Sequence, residues 1–269
     1  MPELPEVETV VRTLQRLIQG SKITDIQILY PKIIAEGTIE QFKEHLIGRT
    51  FEKFSRRGKF LLFDMGDTML ITHLRMEGKF YVTDSAEPYN RHTHLIFSLD
   101  SNRYLQYNDV RKFGRMWAYE KGEEYTCLKD LGLEPWDDQL NAAYLKEQYS
   151  HSYRALKSAL LDQSVIAGIG NIYANEICFL SRISPLRKVN TLSEDECASV
   201  IASARQVLSE AVEAGGSTIR SYTSSLGVNG LFQQKLNVYM QQECPVCHRP
   251  IEKCMLNQRG TYYCRECQK

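Results

Sequence analysis

The 269-residue chain has no run approaching the roughly 20 consecutive apolar residues that a membrane-spanning helix requires. It also has no net charge, since lysine plus arginine and aspartate plus glutamate each number 33. The first absence argues against a spanning helix. The second removes the bulk electrostatic case for a polyanionic partner, which must then be met by local charge. The opening MPELPEVETV lacks the charged-then-apolar order of a signal peptide, so the expectation is a soluble, cytoplasmic chain with no membrane partner. Also missing are the H-x-E and P-C-x-x-C segments of a zinc nucleobase deaminase.

What is there is unevenly placed. Residues 53–59 hold Lys53, Arg56, Arg57 and Lys59 with no acid among them, and residues 231–269 hold six basic residues against three glutamates. Either cluster alone reads as a solvated face. Cysteines are similarly uneven: Cys127, Cys178 and Cys197 stand singly among apolar neighbours, as small inert core residues do, whereas five of the eight fall in the last 26 positions. That placement does not suit a secreted disulfide scaffold.

Val7, Val10, Val11, Leu14, Leu17 and Ile18 recur at helical spacing, with Pro5 early and Gly20 as the stop, which predicts an amphipathic N-terminal helix. Seven short apolar or alternating runs follow, at Ile23–Tyr30, Phe60–Phe63, Met69–His73, Lys79–Val82, Leu95–Leu99, Arg103–Tyr107 and Met116–Tyr119. Their close spacing predicts a β-sandwich or barrel. After Leu131-Gly-Leu-Glu-Pro135 helical patterns dominate, at 139–149, 154–165, 171–180 and 193–213, with Ser193 and Glu196 spaced as a capping box. From Leu236 short strands return. The expected class is therefore α+β, divided into residues 1–133, a helical domain at 134–230 and a C-terminal zinc finger at 231–269.

Cys244-Pro-Val-Cys247 and Cys264-Arg-Glu-Cys267 are two C-x2-C knuckles with 16 residues between them, the spacing of a four-cysteine structural zinc site on a β-hairpin. A redox motif is the alternative for a single knuckle. Cys254 is not needed. Four protein ligands close the coordination sphere, so one zinc per chain would be structural and the chemistry must lie elsewhere.

Pro2-Glu-Leu-Pro-Glu6 would put a carboxylate beside a secondary amine if Met1 were removed, but proline and glutamate are also ordinary in a first helical turn. Co-occurrence decides between these readings. The opening PELPEVET, Ser55-Arg-Arg-Gly-Lys59, His73-Leu-Arg-Met-Glu-Gly78, Asp109-Val-Arg-Lys-Phe-Gly114, Ala167-Gly-Ile-Gly-Asn-Ile-Tyr173, Gly215-Gly-Ser-Thr-Ile-Arg220 and the cysteine ribbon resemble, in that order, bacterial formamidopyrimidine-DNA glycosylases over essentially the whole chain.

The resemblance implies a bifunctional glycosylase and abasic-site lyase of base excision repair. It would excise oxidised purines such as 8-oxoguanine and formamidopyrimidines through an imine on Pro2, then cut by β,δ-elimination. An α-amine titrates near about 7.7–8, so more of it is unprotonated at neutral pH than of a lysine. Glu3 resembles the general acid for the sugar ring oxygen, with Glu6 a second carboxylate nearby. Lys59 matches the lysine of β-elimination, and Arg259 the arginine of phosphate contact and δ-elimination. Met76, Arg111 and Phe113 correspond to a trio inserted into the gap left by an extruded base. His92 resembles a DNA contact. Residues Leu156–Val165, the turn Ala167–Gly170 and a helix from Asn171 resemble a helix-two-turns-helix, whose second helix offers amides to a phosphate at Asn171. Residues 217–234 correspond to a loop over the damaged base. The partner would be damaged double-stranded DNA, met by a monomer.

There are departures. The segment His151-Ser-Tyr-Arg154 replaces a lysine-rich one, leaving Arg154 and Lys157 to meet phosphate; Asn175 replaces an aspartate, and Val238-Tyr-Met240 replaces VYG. An oxidised-pyrimidine glycosylase of the endonuclease VIII type, a lesion-binding paralogue without activity and a plain zinc-ribbon DNA-binding module remain the competing readings.

Overall fold

The computed structural model describes residues 1–217 and 231–269. They fall into two compact units, 1–129 with Ser217, and 130–216 with 231–269. Among the described residues no helix is long and apolar enough to cross a membrane.

In the first unit, helix α1 (Leu4–Ile18) buries Leu4, Val7, Val10, Val11, Leu14 and Ile18, the face its apolar spacing predicts. Strands β1 (Ile23–Ile28), β2 (Lys53–Arg57), β3 (Phe60–Asp64), β4 (Thr68–His73), β5 (Lys79–Thr83), β6 (Thr93–Leu99), β7 (Tyr104–Asn108) and β8 (Arg115–Glu120) form two antiparallel four-stranded sheets, ordered β1-β6-β7-β5 and β2-β3-β4-β8. Phe63 and Leu70 from one sheet, Phe97, Leu105 and Tyr107 from the other, and Val7 and Leu14 of α1 share a single core, which makes the unit a sandwich.

Two elements were not expected. Edge strand β2 has Phe54 as its single apolar residue, so no hydrophobic alternation announces it; basic residues on an edge strand also discourage further pairing. Helix α2 (Ile39–Leu46) buries only Phe42 and Leu46, too few for a period to register, although its Thr38/Gln41 capping box was there to read.

In the second unit, α3 (Ala142–Tyr149), α4 (Leu156–Leu160), α5 (Asn171–Leu180) and α6 (Glu194–Glu213) precede the hairpin β9 (Glu252–Leu256) and β10 (Arg259–Tyr263). Helix α6 opens with the expected capping box: the Glu196 amide donates to Ser193 Oγ (3.1 Å) and the Ser193 amide to Glu196 Oε2 (2.8 Å). Helix α4 is shorter than its apolar pattern suggests. The Asp162 carboxylate accepts from the amide and hydroxyl of Ser164 (3.0 and 2.6 Å), a local turn that competes with helix continuation. Gln163 then pins the second turn, accepting from Gly168 N (2.9 Å) and donating to Ile169 O (2.8 Å). Gly168 has φ +97°, a conformation other residues rarely adopt. Leu156, Leu160, Ile169, Tyr173, Ile177, Val200 and Leu208 close the core of this unit. Cys178 and Cys197 lie in it as anticipated; Cys127 is only half-buried, on a loop of the first unit.

Candidate functional site

The amino terminus sits at the start of α1. Pro2 is buried, and Glu3, Glu6 and Lys59 are only 2%, 4% and 6% exposed, so their charges act in a setting that water screens weakly. Burial pulls the α-amine of Met1 below its ordinary value; the carboxylates of Glu3 and Glu6 oppose that shift, Lys59 adds to it and Glu77 opposes it. The terminus thus has Glu3, Glu6, Lys59 and Glu77 as its charged surroundings, which is the grouping of Pro2, Glu3 and Lys59 expected from sequence.

Glu6 has a definite structural part. Its Oε2 accepts from the Glu3 amide (2.9 Å), and its Oε1 accepts from the amide (2.7 Å) and hydroxyl (3.1 Å) of Ser217. It holds the backbone of Glu3 in place and ties it to a residue 211 positions away. The loop assigned to residues 217–234 lies, at 218–230, outside the described residues. Lys59 follows β2, and β2 is joined to α1 by the ion pair of Arg56 with Glu8 (3.0 Å). His73, at the end of β4, is buried; burial first, then the positive charges of Arg75 and Lys59, push it down to about 3. It is therefore neutral at physiological pH, and its Nδ1 accepts from the Arg75 amide (2.9 Å).

Arg111 and Phe113 lie on the loop after β7, both exposed, with the guanidinium carbon 4.7 Å from the ring centroid, a cation–π pair. The buried Asp109 builds this loop: one carboxylate oxygen accepts from the Arg111 amide (3.0 Å), the other from Gly114 (2.8 Å). Its carbonyl meets His94 Nε2 at 2.7 Å, and His94 is set by a register shift between Thr93 and Leu95, a bulge that re-aims a side chain. Met76 is half-buried on the loop between β4 and β5. His92 is partly exposed beside Arg91 (3.1 Å) and lines a cleft of about 320 Å³ with Glu77, Lys79, Tyr81 and Asn108.

In the second unit the four cysteine sulfurs lie within 4.8 Å of one another, with Cys244 and Cys267 at 3.8 Å and Cys247 and Cys264 at 3.4 Å. A tetrahedron with metal–sulfur bonds of about 2.3 Å requires sulfur separations near 3.8 Å, so the four fit a single ion and are too far apart for disulfides. Burial raises the Cys244 thiol, but the amides of Cys247 and Val246 outweigh it and bring it down to about 7. Cys264 and Cys267 are raised instead, by burial first, so a bound cation would be what favours the thiolate form across the cluster. Cys254 lies in β9, opposite Thr261, outside the cluster.

The same unit corrects the expectation for Lys157. It is 1% exposed, and its ammonium donates to Gly260 O (2.7 Å) and Thr261 Oγ1 (2.8 Å), so it holds β10 instead of facing a phosphate. Asn171, at the start of α5, reaches Gly260 O (3.4 Å), and Asn175 accepts from the Tyr262 amide (2.8 Å); the substitution at Asn175 keeps an acceptor there. Arg259, at the head of β10, is exposed. Arg154 is exposed and paired with Asp162 (2.7 Å). Glu176, which the sequence reading passed over, is 1% exposed and receives Val238 N (3.0 Å) and Tyr239 N (2.8 Å) on Oε1, and Asn237 N (2.8 Å) and Nδ2 (3.0 Å) on Oε2. A glutamate among the apolar residues of α5 was the available signal, since a buried carboxylate must find donors. For Asp109 the signal was an aspartate heading a short polar loop, where its side chain caps nearby amides.

Comparison with known proteins agrees with this architecture. Residues 1–116 match the formamidopyrimidine-DNA glycosylase N-terminal domain and residues 131–223 the formamidopyrimidine-DNA glycosylase H2TH domain. The chain is 44% identical over 273 aligned positions to the formamidopyrimidine-DNA glycosylase of Shouchella clausii (strain KSM-K16), covering all of this chain and 99% of that one. It is 44% identical to that of Listeria monocytogenes serotype 4b (strain F2365), covering both completely. Wild-type Lactococcus lactis Fpg, solved with a DNA containing N7-benzyl-Fapy-dG, superposes over the full length of both chains with a TM-score of 0.92 at 38% identity. The chain belongs to the formamidopyrimidine-DNA glycosylase family, the DNA glycosylases of base excision repair.

Proposed function

We propose that the protein excises oxidised purines, 8-oxoguanine and formamidopyrimidines, from double-stranded DNA and then cleaves the strand, with Pro2 as nucleophile after loss of Met1. The observation that carries this reading is the buried amino terminus, where burial lowers the Met1 amine with Glu3, Glu6 and Lys59 as its charged neighbours; a Pro2 amine freed by loss of Met1 would stand among the same groups. A depressed amine is unprotonated more of the time and is the better nucleophile near neutral pH.

In the sequence we assign, the Pro2 nitrogen forms a bond to C1′ as the glycosidic bond breaks and the base leaves. Glu3 protonates the ring oxygen as the sugar opens, giving an iminium. The iminium acidifies the C2′ proton; the Glu3 carboxylate left after protonation of the ring oxygen accepts it, and the C3′–O bond breaks to release the 3′ phosphate, with Lys59 countering the charge that develops there. Arg259 meets the phosphate eliminated in the second step. Met76, Arg111 and Phe113 fill the gap, while His92, Arg154 and the α5 terminus at Asn171 contact the backbone. Lys157 takes no part in DNA contact; it supports the hairpin that carries Arg259. The metal held by Cys244, Cys247, Cys264 and Cys267 is zinc, one per chain, and its part is to fix that hairpin. We assign catalysis to residues 1–133, lesion recognition and duplex binding to 134–230, and the zinc finger to 231–269, working as a cytoplasmic monomer.

Borohydride trapping tests this on duplexes carrying 8-oxoguanine, a formamidopyrimidine or thymine glycol. The expected result is a covalent adduct on the purine lesions, lost in Pro2→Gly, with an intact mass that starts at Pro2. Preferential trapping on thymine glycol would favour a pyrimidine glycosylase, and lesion binding without trapping a silent paralogue. Retained Met1 in fully active enzyme would sink the mechanism.

A further inference from the structure

The loop bearing Met76 and the loop bearing Arg111 and Phe113 meet at one buried side chain. The first, from Leu74 to Gly78, closes through the Gly78 amide on Leu74 O (3.0 Å). The second, from Asp109 to Gly114, closes through the Asp109 carboxylate on the Gly114 amide (2.8 Å). Tyr107 lies in β7, paired with Phe80 of β5 and Leu95 of β6, and is 0% exposed. Its ring packs edge-on against Phe80, 5.1 Å between centroids. The phenol end projects between the two loops.

The glycines measure how tight that fit is. A methyl group at Gly78 would stand 2.2 Å from the Tyr107 hydroxyl, and one at Gly114 1.8 Å from the same oxygen. Neither glycine has positive φ, so backbone conformation does not demand glycine at either position. At Gly78 the Leu74 carbonyl also crowds the methyl (2.6 Å); at Gly114 the next nearest atoms are the Tyr107 ring carbon that bears the hydroxyl, at 2.8 Å, and Asp109 Oδ2, at 3.2 Å. Gly114 is therefore glycine chiefly because the tyrosine is there.

We propose that Tyr107 is a positioning residue that sets the spacing of the two loops, so that Met76, Arg111 and Phe113 enter the duplex as one rigid device. The proposal rests on the reading that these three residues enter the duplex. Loops fixed before binding lose little further entropy when they insert, and a shift of under an ångström between them leaves the gap badly filled. Displacing a paired base needs the whole device. An abasic site, with no base to displace, needs far less of it.

The test uses the full-length zinc-loaded enzyme. Tyr107→Phe removes one oxygen and leaves the ring. Single-turnover excision of 8-oxoguanine opposite cytosine should fall by about 10-fold, the scale of sub-ångström misplacement, while cleavage of a preformed abasic site is unchanged. Gly114→Ala should impair excision more severely, and Tyr107→Phe in the same chain should restore part of the loss, which a merely stabilising role would not produce. Equal effects of Tyr107→Phe on both substrates, no effect on either, or failure of the rescue would each overturn the proposal. Should Tyr107→Phe fail to fold by circular dichroism, Gly114→Ala carries the test alone, with selective loss of excision supporting the proposal and parallel loss overturning it. Met76→Ala and Phe113→Ala separate the two levels. If both excise at wild-type rate, the insertion reading falls and the proposal with it; if they are impaired and Tyr107→Phe is silent, the proposal alone falls.

Discussion

Replacing Glu176 should loosen the end of the second unit that carries the four-cysteine cluster. Its two oxygens take four hydrogen bonds from residues 237–239, three of them from backbone amides. Glu176→Ala strands those amides where water reaches them poorly. Bonds to a charged acceptor are worth about 1.5–3 kcal/mol each, but they are not additive and partial relaxation recovers some of them. A loss of about 4 kcal/mol is the working figure, a large share of the 5–15 kcal/mol that typically separates folded from unfolded states. Glu176→Gln keeps one acceptor oxygen, and the Asn237 side chain can turn its own oxygen toward the new amide. One backbone donor is then stranded, for a cost of about 2 kcal/mol. Urea unfolding of the zinc-loaded protein measures both variants. Because residues 237–239 lead directly to Cys244, release of zinc to a chelator should accelerate in the same order, alanine above glutamine above wild type. A Glu176→Ala protein within about 0.5 kcal/mol of wild type, with unchanged zinc release, would refute the reasoning.

Three other outcomes are expected. His73 is held neutral, its folded value near 3 lying below its unfolded one; its contribution to stability is complete above about pH 6.5 and declines as pH falls toward 3, by about 1.4 kcal/mol per pH unit. Urea unfolding at pH 7 and pH 5 should therefore show His73→Asn losing about 2 kcal/mol less than wild type between the two, and parallel losses would contradict the assignment. Cys247→Ser should release one equivalent of zinc and weaken DNA binding, since a structural ion supplies local folding energy; a metal-free wild type by elemental analysis would overturn it. Arg111→Ala should narrow the preference for 8-oxoguanine opposite cytosine over adenine by about 1–3 kcal/mol, because a guanidinium only donates and cytosine offers two acceptors. Single-turnover rates on the two duplexes decide this, and an undiminished preference would assign Arg111 to another task. Since Phe113 stacks on Arg111, Phe113→Leu should blunt the same preference in part.

How far the sequence reached depended on whether a residue's partners lay near it along the chain. Helices α1, α5 and α6 were legible because their apolar faces repeat over several turns, and α6 because Ser193 and Glu196 mark its start. The four-cysteine cluster was legible because paired cysteines need only a short hairpin to converge. Strand β2 was hidden by its charge, and α2 by having two buried positions. Lys157 was misjudged because spacing along α4 says nothing of Gly260, 103 positions away, whose carbonyl accepts its hydrogen bond. Tyr107 was invisible in role because it acts through glycines on two different loops, whereas Asp109, whose partners Arg111 and Gly114 lie two and five positions on, carried a local signal that was passed over.

The bond between Glu6 and Ser217 bears on the order in which the molecule is completed. A ribosome delivers Glu6 almost at once and Ser217 only after about four-fifths of the chain. Until then Glu6 Oε1 lacks the amide and hydroxyl of Ser217, which follows α6 in the chain. This contact at the amino terminus is therefore made late in synthesis, and a product that ends before residue 217 carries the start of α1 without it.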